Sequence, residues 1–358
     1  MKVLRLSYPL VIAGLLLILI EIFSTTPSTA TLESPKPRFI YVPDDYSSIQ
    51  LAVDNANSGD VILVREGVYV ENIMIKRKSD LVIKPVGGDT VIVRAKDEGQ
   101  PVFSIQFSRN ITILRLTITG GKAYRSAAIY ILNSSNVFVQ ECTLYSNNAG
   151  VWIAYSSNIT ITKSNVLGNN YGVIVQYSKS TTIVENNINY NGIGIDFVDA
   201  SNNTIYHNNF INNNQHVRLH KSVNKWNAQY PLGGNYWSGY DAEDVKKGPS
   251  QDEPGADGIL DAPYRLDDDN VDYYPLAQPL AFQIVIATPI VAVVTRTLTP
   301  LVTTVTQKIF CDECTAALIL LVVAIILIGG YLVAVQNKAR KKSPATKTKS
   351  KQQYTTLF

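Results

Sequence analysis

The sequence predicts an all-β fold, a parallel β-helix with about 22 residues per coil, and three observations carry that prediction. First, residues 128–131, 150–153, 172–175 and 194–197 are near-copies of one another at a spacing of 22. Second, the segments that follow them, 136–139, 158–161, 180–183 and 202–205, keep the same register, and each block closes on an apolar residue, Leu144, Val166, Ile188 or Phe210, ahead of an Asn-rich turn. Third, the apolar runs are short, alternate with a period of two and show no helical periodicity between them. A coil of this kind buries its face only against its neighbours, so one repeat implies a stack.

Residues 1–30 carry Lys2 and Arg5, an apolar run and small residues ending at Ala30, the order of a secretory signal. A Pro/Ser/Thr-rich linker, 31–37, precedes a strand over 39–42. Ser48 stands where it can cap a short helix reaching Asn57, with Ile49, Ala52, Val53 and Ala56 on one face. Such a helix closes the open end of a solenoid. Coils then run over 38–227, with four extra residues placed in the loop at 120–126, and Val217, Leu219 and Asn224 still in register. Residues 228–276 form an acidic Gly/Asp/Tyr-rich cap and 277–314 a Thr-rich stalk. Residues 315–335 carry no charge over 21 positions, the length of one membrane span. The tail, 336–358, holds seven basic residues and no acidic one, which places it in the cytoplasm and the bulk of the chain outside.

Charge therefore belongs to compartments. The whole chain is +3, but residues 31–335 hold 23 Lys/Arg against 28 Asp/Glu, so the basic balance reports topology and gives no case for nucleic acid. Cys142 falls in a column with Ser164, Asn186 and Asn208 and reads as a packing residue. Cys311 and Cys314, outside the membrane, read as a disulfide within or between chains.

Residues 39–43 with 46–50, then 59–64 and 67–72, resemble the opening of right-handed β-helix proteins of the NosD type, within the pectin-lyase-like group of carbohydrate-binding proteins and sugar hydrolases. Residues 234–238, 257–264 and 272–276 are similar to the tail of such domains on archaeal cell-surface proteins. The resemblance covers about residues 38–276 and implies the fold more strongly than any activity, because this fold hosts many.

The register also assigns faces. With Val151, Ile153, Val173, Val175, Ile195 and Phe197 inward, Tyr130, Trp152, Ile174, Asp196 and Arg218 form one outward column, and Asn133, Tyr155, Tyr177, Asp199 and Lys221 are expected to form a second on the same sheet. Tyr130, Trp152, Tyr155, Tyr177, Asp196, Asp199, Arg218, His220 and Lys221 are thus the expected ligand-binding set, with aromatics to stack on sugar rings and polar groups to orient hydroxyls. Asp196 and Asp199 are also a carboxylate pair of the kind that could act as acid and base in glycoside hydrolysis. Against this, Asp196 lies over Arg218 and Asp199 over Lys221, and a carboxylate paired with a cation makes a poor general acid.

Asp252, Asp257 and Asp261, around Gly255 and Gly258, are oxygen donors on a tight loop, a donor set for calcium. Copper, which the NosD resemblance raises, finds only His207, His216 and His220, with Arg218 beside two of them, and is not expected. Asn110, Asn133, Asn158 and Asn202 each open an Asn-x-Ser/Thr glycan acceptor, although turn geometry alone accounts for three of them. The sequence thus points to a membrane-anchored extracellular β-helix that binds carbohydrate or a surface polymer without turnover. A polysaccharide lyase or hydrolase using Asp196 and Asp199, and a structural component with an envelope-protein partner or a role in copper maturation, are the alternatives.

Overall fold

The structure is a computed structural model that describes residues 37–281. It is a parallel β-solenoid of about eight turns, built from three sheets visited in rotation. The first sheet runs from Phe39–Val42 to Thr204–Tyr206, the second from Gly67–Val70 to Tyr236–Trp237, and the third from Ile73–Lys76 to Gln215–His220. Ile129, Val151, Val173, Ile195 and Val217 stand in one ladder of parallel partners, each 22 residues from the next. These residues and Ile131, Ile153, Val175 and Phe197 are buried, so the inward columns are the expected ones.

Two earlier steps of the same ladder are longer. Phe103 pairs with Ile129, 26 residues on, and Ile73 with Phe103, 30 on. The surplus lies at one corner, in the loops 95–102 and 120–128 between the second and third sheets. The first end is covered by helix α1 (Ile49–Asn55), whose Ile49, Ala52 and Val53 are buried. Ser48 accepts from the Leu51 N–H as its N-cap, and Glu71 accepts from the free N–H groups of Ile49 and Gln50.

Polar residues make inward ladders of their own. The N–H of Cys142 donates to the Ser164 hydroxyl, that of Ser164 to Asn186 Oδ1, and so on through Asn208, Asn235 and Asp272, one step per coil at 2.8–3.1 Å. A second ladder joins Asn147, Asn169, Asn191 and Asn213 at 2.9–3.0 Å. The strand repeat leaves backbone N–H groups unpaired at each corner, and these side chains satisfy them.

The boundary expected at 227 is softer than the sequence suggested, because Tyr236–Trp237 pairs with Asn209–Ile211 and extends the second sheet into the acidic cap. Among the described residues no helix is long and apolar enough to cross a membrane. The expected signal segment 1–30, span 315–335, tail 336–358 and the Cys311–Cys314 disulfide lie outside the described residues, as does most of the stalk.

Candidate functional site

On the outer face of the third sheet the register column reads Met74, Ser104, Tyr130, Trp152, Ile174, Asp196 and Arg218. An open groove of about 680 Å³ lies over it. The tips of the two long corner loops, with Gln100 on one and Tyr124 and Arg125 on the other, wall it on one side. Asparagines fix those walls. Asn72 donates to the carbonyls of Asp97, Gln100 and Pro101 and accepts from the Asp97 N–H. Asn148 donates to the Ser126 carbonyl, and Asn147 accepts from Gly121 N–H. Lys122 reaches Glu98 at 3.4 Å and ties one loop to the other.

The groove floor is apolar. Ala127, Ala149 and Ile174 are buried there, with Tyr130, Trp152 and Tyr171 packed against them. Tyr130 meets Trp152 edge to face with centroids 5.5 Å apart, an arrangement that fixes both rings. Beside them stand the amides of Asn148 and Gln176 and the Arg125 guanidinium, which lies 5.3 Å from the Tyr124 ring centre.

Asp196 is the single carboxylate among the described residues that line the groove. It is 4% exposed and clamped in bidentate fashion by Arg218 of the next coil, Nε to Oδ1 at 2.8 Å and Nη2 to Oδ2 at 2.6 Å. The Asp196 hydrogen bonds hold the Arg218 guanidinium firmly in its charged form, and the Tyr171 ring lies 5.5 Å below it. The expected Asp196–Arg218 pair is therefore present.

The second expected column is corrected. Asn133, Tyr155, Tyr177, Asp199 and Lys221 sit one residue past the strands, all with φ of 46–50°. They occupy a left-handed turn between the third and first sheets, three positions after the first column instead of two. The true second outward column is Gln106, Leu132, Ala154, Gln176, Val198 and His220. Tyr155 and Tyr177 are exposed and stack on each other at 4.9 Å and 19°, which spends one face of each ring on its neighbour. Asp199 and Lys221 are both exposed and form no ion pair among the described residues. Asp199 lies outside the groove, so the expected acid–base pair with Asp196 is not assembled within it.

His220 is exposed on the last strand of the third sheet. His216 is held between Asn213 and the Ser238 carbonyl, and burial lowers its imidazole below the usual range. His207 meets the Leu232 carbonyl. No three His, Cys, Asp or Glu side chains converge as a metal site among the described residues. Asp252, Asp257 and Asp261 are not brought together. Asp257 accepts from Gly248, Gln251 and Ile259, and Asp261 from Val245 and Lys246, so both serve to fold the loop. Asn110, Asn133, Asn158 and Asn202 are exposed, each with positive φ, and Asn110 is tied by its amide to Asp80 and Asn136.

Sequence reasoning missed Tyr171, Gln176, Asn72, Asn148 and the loop residues Tyr124 and Arg125. The departures from 22, at 26 and 30 residues, were the legible signal for where the walls rise.

No curated protein matches the sequence. Solved structures that resemble it include pectate lyase Pel9A, at 17% identity over 56% of this chain and 58% of that one, TM-score 0.42. ORF18 of Geobacillus virus E2 follows at 16% identity, 66% and 52% coverage and TM-score 0.45. The periplasmic alginate epimerase AlgG gives 14%, 52%, 53% and 0.37. The chain spans little more than half the length of these structures. Residues 102–228 match the family model described as the right handed beta helix region, and the coils there are those of a right-handed β-helix.

Proposed function

We propose that the groove on the third sheet binds an extended carbohydrate chain without turning it over. The observation that carries the reading is the apolar platform of Tyr130, Trp152 and Tyr171, walled by pinned loops and edged by amides. A pyranose presents an apolar face and a hydroxyl rim, which such a platform and rim complement. Hydrolysis is disfavoured because it uses a pair of carboxyl groups, and among the described residues the groove offers one, already bound to Arg218. The charged C-terminal tail and the uncharged 315–335 segment support a cell-surface location with a single membrane anchor and the solenoid outside. The NosD-type resemblance of residues 38–276 fits this surface role.

The test is a polysaccharide panel against the full chain in detergent, scored for binding and for released product together. Binding with no product is expected, and Trp152→Ala should weaken it by roughly tenfold to a hundredfold, as truncating a stacked aromatic anchor does. Product formation that disappears in Asp196→Asn would overturn the non-catalytic reading. Binding indifferent to Trp152→Ala would remove the ligand from this groove.

A further inference from the structure

The corner loop over 120–128 carries a turn that the coil repeat does not explain. Ser126 donates its N–H to the Ala123 carbonyl at 2.9 Å, which closes a β-turn with Tyr124 and Arg125 at its centre. Arg125 has a φ of 67°, the left-handed conformation that the third position of such a turn favours for glycine or asparagine. Nearly all the other non-glycine residues of positive φ recur at the coil corners, as Asn133, Tyr155 and Tyr177 do. There the repeat itself imposes the conformation. Arg125 lies on no such column.

The base of this turn is fixed, and its tip is uncovered. Ser126 is fully buried, Ala123 donates its N–H to the Glu98 carbonyl at 3.1 Å, and Gly121 is bonded to Asn147 and Asn148. Tyr124, by contrast, is 81% exposed, and Arg125 is exposed with its guanidinium over the Tyr124 ring. Both line the groove, where Arg125 is the single cation among the described residues and forms no ion pair with them. Asp196, the one carboxylate there, has both oxygens taken by Arg218. Arg125 is thus the one charged group of the described lining without a partner. Backbone strain that carries an exposed, unpaired guanidinium at the lip of a groove points to a ligand contact.

We propose that Arg125 sets the specificity of the groove by holding two adjacent oxygen atoms on the rim of the sugar chain, a vicinal diol or a carboxylate, while the apolar face of the chain lies on Tyr130 and Trp152. The planar guanidinium presents paired N–H donors at a spacing that suits two neighbouring acceptors. The Tyr124 ring under it limits the orientations it can take. The inference rests on the carbohydrate reading of the groove and adds the group that the ligand must carry.

Binding to the full chain in detergent tests this, with cellohexaose as the neutral diol probe and hexagalacturonate as the carboxylate probe. Arg125→Gly should weaken at least one of them by about tenfold or more, the loss of a paired contact to a guanidinium. Its urea midpoint should stay level or rise, because glycine suits the turn. Arg125→Lys keeps the charge and the backbone strain but lacks the fork, and should lose as much binding. A loss confined to hexagalacturonate and diminished by salt assigns the carboxylate, whereas a loss with cellohexaose that salt leaves unchanged assigns the diol. Unchanged binding of both probes by Arg125→Gly, or full recovery in Arg125→Lys, would overturn the inference. The groove reading would then still stand if Trp152→Ala weakened binding. A lowered urea midpoint in Arg125→Gly would make Arg125 a residue of the fold and overturn the inference too. An unsubstituted chain that bound neither probe would overturn it as well, and the wider polysaccharide panel decides the groove reading separately.

Discussion

Asp272 is the residue whose environment has the most measurable consequence. It ends the inward ladder that starts at Cys142, with its carboxyl oxygen accepting from the Asn235 N–H, the Asn235 amide and the Trp237 indole. Burial pushes its carboxyl from an ordinary 3.8 up to about 7, against the pull of the N–H donors from Asn235, Trp237 and Tyr274. In the unfolded chain the carboxyl ionises near its ordinary value. Between roughly pH 4 and pH 7 the folded chain therefore holds a proton that the unfolded chain has released, and stability falls as pH rises through that window. Each unit is worth about 1.4 kcal/mol, so the full loss is ~4 kcal/mol, level above pH 7. Asp272→Asn should flatten that slope while adding a constant cost where its amide meets the Tyr274 N–H. Urea unfolding of both chains at several pH values checks this, and parallel slopes would refute it. Cys142, on the first rung, is fully buried with its thiol pushed up to about 12, consistent with a packing residue and not a reactive one.

At the scale of the coil, backbone spacing decides what each position tolerates. Gly172 lies where a Cβ would press on the Gly194 carbonyl of the next coil, and Gly150 where one would stand 2.6 Å from the Gly172 oxygen. Gly172→Ala must therefore spread two coils directly beside Trp152 and Ile174. A loss of ~1–3 kcal/mol is expected, the usual range for overpacking, and chemical denaturation of the full chain measures it. Asn208→Ala should cost a comparable ~2–4 kcal/mol for a different reason, since it leaves the Asn186 N–H and the Ile183 and Tyr206 carbonyls without their partner. The inward columns were legible because burial and a strict period of 22 select the same residues. The turn columns were not: Tyr155 and Tyr177 follow the strand by one residue, and a left-handed φ there breaks the alternation on which face assignment rests. Asp196 and Arg218 were recovered because both lie within the strand, whereas Asp199 and Lys221 lie past its end. The groove walls were hidden for a further reason. Loop residues follow no period, and only the lengthened steps betray where loops rise.

At the scale of the whole molecule, a solenoid survives only if both ends are closed, since each coil's apolar face otherwise meets water. Helix α1 closes the first end. The last coil is closed by aromatic stacking carried past the final strand. Phe210 stacks on Trp237 at 4.3 Å and 5°, Trp237 on Tyr264 at 4.3 Å and 15°, and Trp226 meets Phe197 edge to face at 5.8 Å. Two polar ladders are closed in the same place: Asp272 ends the one from Cys142 by accepting from the Asn235 N–H, and Asn270 ends a further one, through Thr181, Asn203 and Asn224, by accepting from the Asn224 N–H. The acidic region is therefore a lid on the stack, and its carboxylates fold the loops that hold the lid shut. Ending the chain after residue 227 would leave Phe210 without its stacked partner and the last N–H groups of both ladders bare. That truncated chain should self-associate where a chain ending after residue 281 stays dispersed, with light scattering as the readout. Trp237→Ala, which keeps the segment but removes the central ring of the stack, should lose ~3–5 kcal/mol of stability without wholesale association. A truncated chain that remained monomeric and fully folded would show that the coils need no cover at this end.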